Sequence, residues 1–216
     1  MSPDRTRAAD RDRMVRLQIQ ARGISDRRVL QALRVTPRER FISSTQAAAA
    51  YNDSPLPIGD DQTISQPYIV ALMTQLLDLS GTESVLEIGT GCGYQTAILA
   101  ELAATVHTVE IVPALAARAR DLLHSLGCGN IRFREGDGSA GWPEAAPFDR
   151  IMVTAAPRKF PDPLRDQLAM GGCVVVPVGT RRQQLLRVVR TPDGYREETH
   201  GAVRFVPMTG DASRGR

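Results

Sequence analysis

The stretch that most constrains how this chain can fold is Val85 to Tyr94, Val-Leu-Glu-Ile-Gly-Thr-Gly-Cys-Gly-Tyr. Four residues of β-prone, mostly apolar character run into Gly89. Glycines at alternate positions then lead into the apolar-periodic run Gln95 to Leu102, a pattern of strand, tight turn and helix. Glycine is required where φ is positive or where the backbone must lie against a ligand with no Cβ between them. The helix behind such a turn offers its first amides to that ligand. A second β-prone run, Thr105 to Val109, ends in Glu110, about 20 residues beyond the first glycine, where a carboxylate can accept hydrogen bonds from ribose hydroxyls. A dinucleotide loop would read G-x-G-x-x-G, and Tyr94 stands where its last glycine would fall.

Alternation of such strands with helices predicts an α/β fold, a doubly wound, mostly parallel sheet. Helices are expected over Pro67–Leu77, 94–102, Pro113–Leu126 and around Leu164–Leu168. Strands are expected over 85–88, 105–109, Asn130–Arg134, Phe148–Thr154 and Cys173–Val178. Leu185–Arg190, Pro192-Asp193-Gly194 and Tyr195–Val206 form a hairpin pattern, so the sheet should close with antiparallel strands. Ahead of it, residues 1 to about 6 are expected to be disordered, and a charged amphipathic helix is predicted from Arg7 to Arg22, stopped by Gly23. Ser25 is the predicted cap of a second helix that Pro37 ends, and short helical pieces are expected at Arg38–Phe41 and Ala47–Ala50. Tyr51 to Pro67, with three prolines, a glycine and no periodicity, is expected to be an ordered functional loop. The division expected is a helical extension with its loop over 1–80 packed on a core over 81–216, one structural domain of 216 residues.

Composition narrows the partners. The formal charge of +3 derives largely from arginines near the two ends, and only 5% of residues are aromatic, so a basic stripe with interleaved aromatics for nucleic acid is not expected. Three cysteines, Cys92, Cys128 and Cys173, lack metal-ligand spacing and suit reduced thiols; no metal is expected. His107, His124 and His200 show no ligand pattern. No segment approaches the ~18 consecutive apolar residues of a membrane span. A soluble, cytoplasmic monomer is the expectation.

The loop Gly-Thr-Gly-Cys-Gly, with Glu87 two places before it, resembles the first motif of S-adenosyl-L-methionine (AdoMet) methyltransferases. More specific stretches follow in order: Pro-Leu-Pro-Ile-Gly at 55–59, Gln-Thr-Ile-Ser-Gln-Pro at 62–67, Val-Glu at 109–110, Gly-Asp-Gly at 136–138, Val-Thr-Ala-Ala-Pro at 153–157 and Arg-Phe-Val-Pro at 204–207. Together they resemble the protein-L-isoaspartate (D-aspartate) O-methyltransferases over roughly residues 37–209. The resemblance implies a Rossmann-like AdoMet-methyltransferase sheet. It also implies an enzyme that methylates the α-carboxyl of L-isoaspartyl and D-aspartyl residues in damaged proteins and peptides, opening repair through a succinimide and releasing S-adenosyl-L-homocysteine. Two departures stand out: Asp61 replaces the family's usual glycine, and Cys92 replaces its commoner serine.

Under that resemblance Gln62, Thr63 and Ile64 line the loop over the cofactor, and Gly89, Gly91 and Gly93 give backbone approach to its methionyl part. Glu87 is implied to be among the cofactor-binding residues, or else caps the turn. Glu110 accepts from the ribose, Asp137 and Gly138 meet the adenine, and Thr209 follows a Val206-Pro207 segment that frames the substrate. Ser65 is implied to orient the attacking carboxylate, although spacing alone favours it as a cap for the helix at Pro67. Two other functions fit parts of the pattern. One is a nucleotide-binding oxidoreductase; the other is a specialised relative that esterifies aspartate in one peptide partner.

Overall fold

In the computed structural model, which describes residues 3–210 and side chains from residue 7 onward, the first strand of the main sheet lies at the centre of its five parallel strands. This strand, β3 (Ser84–Ile88), pairs in parallel with β4 (Thr105–Glu110) on one side and β6 (Phe148–Val153) on the other. Outside them lie β5 (Ile131–Glu135) and β7 (Leu168–Gly179), both parallel to their neighbours. The sheet finishes with β8 (Gln183–Thr191) and β9 (Gly194–Val203), which are antiparallel, giving the order β5-β4-β3-β6-β7-β8-β9. The fold expected from the sequence is therefore present. Chain order reverses around β3, so a crevice opens at the carboxyl ends of β3, β4 and β6, where open α/β sheets bind ligands.

Strand side chains alternate between two apolar layers, as period-2 geometry requires. Val85, Met152, Cys173 and Val175 join the layer under the N-terminal helices, whereas Leu86, Ile151, Val153, Val174 and Val176 join the other. The first layer extends without a break to Val15, Leu33 and Leu77, so the N-terminal helices pack on the sheet. They are α1 (Pro3–Met14), continued by a π turn (Val15–Ile19) and a 3₁₀ turn (Gln20–Arg22) that ends at Gly23 with φ +93°, then α2 (Arg27–Val35) and α3 (Pro67–Leu77). Helices α4 (Tyr94–Ala100), α5 (Pro113–Ser125) and the short α6 (Asp162–Asp166) complete the set.

Four local expectations change. Helix α1 already begins at Pro3, inside the stretch expected to be disordered, of which residues 1 and 2 lie outside the described residues. Helix α2 is capped by Asp26, not Ser25, because the Asp26 carboxylate accepts from the amides of Arg28 (2.8 Å) and Val29 (3.3 Å). Strand β7 starts at Leu168, ahead of the expected Cys173: Gly171 and Gly172 let it bulge where register shifts against β6, and a Cβ at Gly172 would crowd the Asp149 carbonyl. The supposed irregular loop at 51–67 contains a hairpin of β1 (Leu56–Gly59) and β2 (Gln62–Ile64). Its two-residue turn is Asp60-Asp61, both with positive φ (52° and 56°), a conformation Asp adopts more readily than most residues.

Candidate active site

The crevice holds a cavity of about 410 Å³, within the range of small-ligand sites. Three strand ends build its floor. Residues 89–92 follow β3, Glu110 to Val112 end and follow β4, and Thr154 and Ala155 follow β6. The β1–β2 hairpin forms a wall, bringing Gln62, Thr63 and Ile64 with Ser65 to the same space. The opposite wall is the segment after β9, including Val206, Pro207 and Thr209. Of the residues implicated by sequence, the structure thus brings together Gln62, Thr63, Ile64, Ser65, Gly89, Gly91, Glu110, Gly138, Val206, Pro207 and Thr209.

Three others are not among the lining residues. Gly93 opens α4 and faces Leu123 of α5. Asp137 accepts from the Ser139 amide at 2.8 Å and lies against Gly210, where no Cβ would fit beside its carboxylate. Glu87 is fully buried beneath the glycine loop. One of its carboxyl oxygens accepts from the hydroxyls of Thr96 (2.6 Å) and Thr108 (2.7 Å), and Thr108 shares a 2.6 Å hydrogen bond with Thr90 of the loop itself. Glu87 therefore supports the loop from below.

Burial pushes the Glu87 carboxyl up to about 8, with the two threonine hydroxyls opposing and the Glu110 charge reinforcing the shift. The folded protein then holds a proton that the unfolded chain, titrating near 4.5, releases. Stability from this group is present at acid pH and is lost as pH climbs from about 4.5 through about 8. Glu87→Gln should flatten that decline in melting curves of the ligand-free protein taken at pH 5.5 and 8.5; parallel Tm changes in the two proteins would contradict it.

Glu110 is the best-anchored polar group of the cavity. Its Oε2 accepts from the Gly91 amide at 2.7 Å and its Oε1 from the Val112 amide at 3.0 Å, which leaves lone pairs of both oxygens for a ligand hydroxyl. Close packing dictates two of the glycines. Gly89 has φ +96°, and any Cβ there would collide with Thr154 Oγ1, which donates to the Gly89 carbonyl at 2.6 Å. A Cβ at Gly138 would collide with Ile88. The Cys92 thiol is pushed up to about 11 by burial, so it stays neutral, as the serine more usual there would.

The far wall is fastened by backbone. The Ala156 amide donates to the Val206 carbonyl and the Met208 amide to the Ala156 carbonyl, each at 2.8 Å. The Gln183 side chain makes a two-way clasp on Phe205, accepting from its amide at 2.6 Å and donating to its carbonyl at 3.0 Å. Sequence reasoning assigned no role to Gln183, Thr154 or Thr108. Their signal is weak because each acts by holding backbone or another side chain.

Ser65 occupies the critical corner. Its hydroxyl makes no hydrogen bond to protein among the described residues, and α3 is preceded by Gln66 as cap residue, with no side-chain cap bond. The cap role that spacing allowed for Ser65 is absent. None of the three histidines lines the cavity, and among the described residues no group of three His, Cys, Asp or Glu is placed to hold a metal.

Similarity to known proteins agrees with this geometry. The model of the protein-L-isoaspartate (D-aspartate) O-methyltransferase family matches residues 9–213. The protein-L-isoaspartate O-methyltransferase 1 of Syntrophobacter fumaroxidans is 56% identical over 201 residues, covering 93% of this chain and 94% of that one. A solved protein-L-isoaspartate O-methyltransferase superimposes with a TM-score of 0.86 at 30% identity, over 94% of this chain and 67% of the other. A Plasmodium falciparum protein of the same description, in complex with S-adenosyl-L-homocysteine, shares the fold with a TM-score of 0.81 at 22% identity, over 92% and 98% of the two chains. On the extent of these matches and on the order of its own motifs, the chain belongs to the protein-L-isoaspartate (D-aspartate) O-methyltransferase family.

Proposed function

We propose that this cavity methylates the α-carboxyl of L-isoaspartyl and D-aspartyl residues in damaged proteins and peptides, with Ser65 holding the carboxylate that attacks. The observation that carries the reading is Ser65: it lines the cavity together with the glycine loop, and among the described residues its hydroxyl neither caps α3 nor bonds to another protein group. The residues present fit AdoMet. Gly89 and Gly91 bare the backbone, Glu110 offers a doubly anchored acceptor, and the hairpin residues 62–64 cover the space. AdoMet, when bound, supplies a methyl group activated by its sulfonium charge.

A substrate carboxylate, with a pKa near ~4, is already ionised at neutral pH, so the protein has no proton to remove. Catalysis then rests on positioning and on donors placed for the reacting oxygens. Ser65 donates one hydrogen bond to the carboxylate, and Val206 and Pro207 frame the peptide from the opposite wall. Asp137 acts beside Gly138 at the adenine end, Thr209 closes the rim, and Gly93 and Glu87 shape the loop rather than touch the ligand. In this reading residues 1–80 are a helical extension with its active-site hairpin on the 81–216 core. The enzyme works as a cytoplasmic monomer without nucleic acid, in keeping with its modest charge and 5% aromatic content. Among the described residues no helix is long and apolar enough to cross a membrane.

Neither an oxidoreductase nor an aspartate-esterifying relative is supported. Transfer of labelled methyl from AdoMet to a synthetic isoaspartyl peptide and to its aspartyl twin tests the function: the isoaspartyl peptide alone should be labelled. Equal labelling of both, or of neither, would contradict it.

Asp61 adds a carboxylate to the cavity rim that receives an anion. Like-charge repulsion at that range raises KM, and Asp61→Gly should lower KM for isoaspartyl peptide about two- to fivefold at low salt, with the gain shrinking as salt is added. Glycine also suits the φ of 56° at this position, so the turn should be kept. A KM that is unchanged or higher would show that the carboxylate is directed away from the substrate.

A further inference from the structure

Arg38 is 0% exposed, yet among the described residues no carboxylate forms an ion pair with it. A buried cation without a counter-ion is costly, and the groups it does meet show what it holds. Its Nε donates to the Ala50 carbonyl at 2.9 Å and its Nη2 to the Ser65 carbonyl at 2.7 Å. The guanidinium lies over the Tyr94 ring, 4.9 Å from its centroid, and among the described residues Nη1 has no hydrogen-bond partner. Tyr94 is the first residue of α4, directly after the glycine loop, and lines the cavity. Phe41, from the same 3₁₀ turn as Arg38, meets Tyr94 edge-on at 5.4 Å.

The turn at 38–41 is thus docked on the start of α4, and from there one guanidinium reaches across to Ser65. Among the described residues the Ser65 side chain makes no hydrogen bond to protein. What fixes its hydroxyl is its backbone, held on one side by the pairing of Ile64 with Leu56 and on the other by Arg38. Lysine could keep the charge and the apolar stem, but a single ammonium cannot reproduce a planar fork that donates in two directions while stacked on a ring.

We propose that Arg38 is a positioning residue for methyl transfer, setting the Ser65 hydroxyl at a fixed place relative to the glycine loop. This rests on the assignment of Ser65 given above. Misplacing a reactive geometry by about 1 Å costs on the order of 10²-fold in rate, so Arg38→Lys should lower kcat about 30- to 100-fold. AdoMet affinity, set by the glycine loop and Glu110, should stay within about threefold, as expected for an independent site.

The deciding experiment is a double-mutant cycle on the full chain: wild type, Arg38→Lys, Ser65→Ala and the double variant, each assayed for kcat, KM for isoaspartyl peptide and calorimetric AdoMet affinity. If Arg38 acts through Ser65, Arg38→Lys should cost less than about threefold once the hydroxyl is gone. A full 30- to 100-fold loss in the Ser65→Ala background, no loss in the single variant, or a parallel fall in AdoMet affinity would overturn the proposal and leave Arg38 a general structural anchor. A fully active Ser65→Ala would overturn the Ser65 assignment and this inference with it, whereas a slow Ser65→Ala with additive losses overturns this inference alone. Should Arg38→Lys fail to fold, Arg38→Gln, which keeps amide donors on a shorter stem, enters the same cycle with the same criteria.

Discussion

Ser65→Ala should lower kcat for an isoaspartyl peptide by roughly 2 to 4 kcal/mol, the usual cost of removing one preorganised donor to a reacting oxygen. The structure sharpens the expectation because the hydroxyl has no second role. Helix α3 takes no cap bond from it, and no protein group bonds to it among the described residues. The substitution therefore should not destabilise the helix, and Tm should move little. Affinity for AdoMet should also stay close to wild type. Serine does not titrate between pH 6 and 8, so the slow variant should retain the shape of the wild-type pH profile. Steady-state kinetics with methyl-labelled AdoMet measure this directly. Full activity in the variant, or a methyl group trapped on Ser65, would remove the residue from the reaction.

The second large effect concerns Glu110→Gln. A carboxylate accepts the Gly91 amide on one oxygen and the Val112 amide on the other. An amide side chain can satisfy only one, and its NH₂ must then face a second N–H donor. The glycine loop loses a charge-assisted contact, and a ribose hydroxyl loses its acceptor. Together these should weaken AdoMet binding by about 2 to 3 kcal/mol, roughly 30- to 150-fold, with the fold retained. Calorimetry on the purified variant reads the change. An affinity within a factor of two of wild type would show that Glu110 is only a loop brace.

Glu87 and Glu110 illustrate what could and could not be read before the fold was known. Both flank the glycine loop in sequence at spacings typical of a cofactor site, so both were expected at the ligand. Strand geometry separates them: Glu110 ends β4 at the crevice, whereas Glu87 lies within β3 and is enclosed under the loop. The alternation of strands and helices along the chain and the antiparallel finish were legible because the apolar runs are strong and the turn residues unambiguous. The β1–β2 hairpin was not, since its strands are only four and three residues long, carry Pro57, and turn on two aspartates where a glycine would have been the signal. Arg38 was invisible for a different reason. Its position, an arginine after Pro37 in a charged stretch, reads as solvated surface, and only tertiary packing reveals it to be buried behind Ser65.

The central claim is that Ser65 and the glycine loop together place an ionised carboxylate in line with the activated methyl. A crystal structure of the enzyme with S-adenosyl-L-homocysteine and an isoaspartyl peptide tests it most directly. The account predicts the isoaspartyl α-carboxylate within hydrogen-bond distance of Ser65 Oγ, one oxygen directed at the sulfur, and the adenosyl ribose on Glu110. A carboxylate bound elsewhere, with Ser65 Oγ facing solvent or turned onto the first amides of α3, would contradict it.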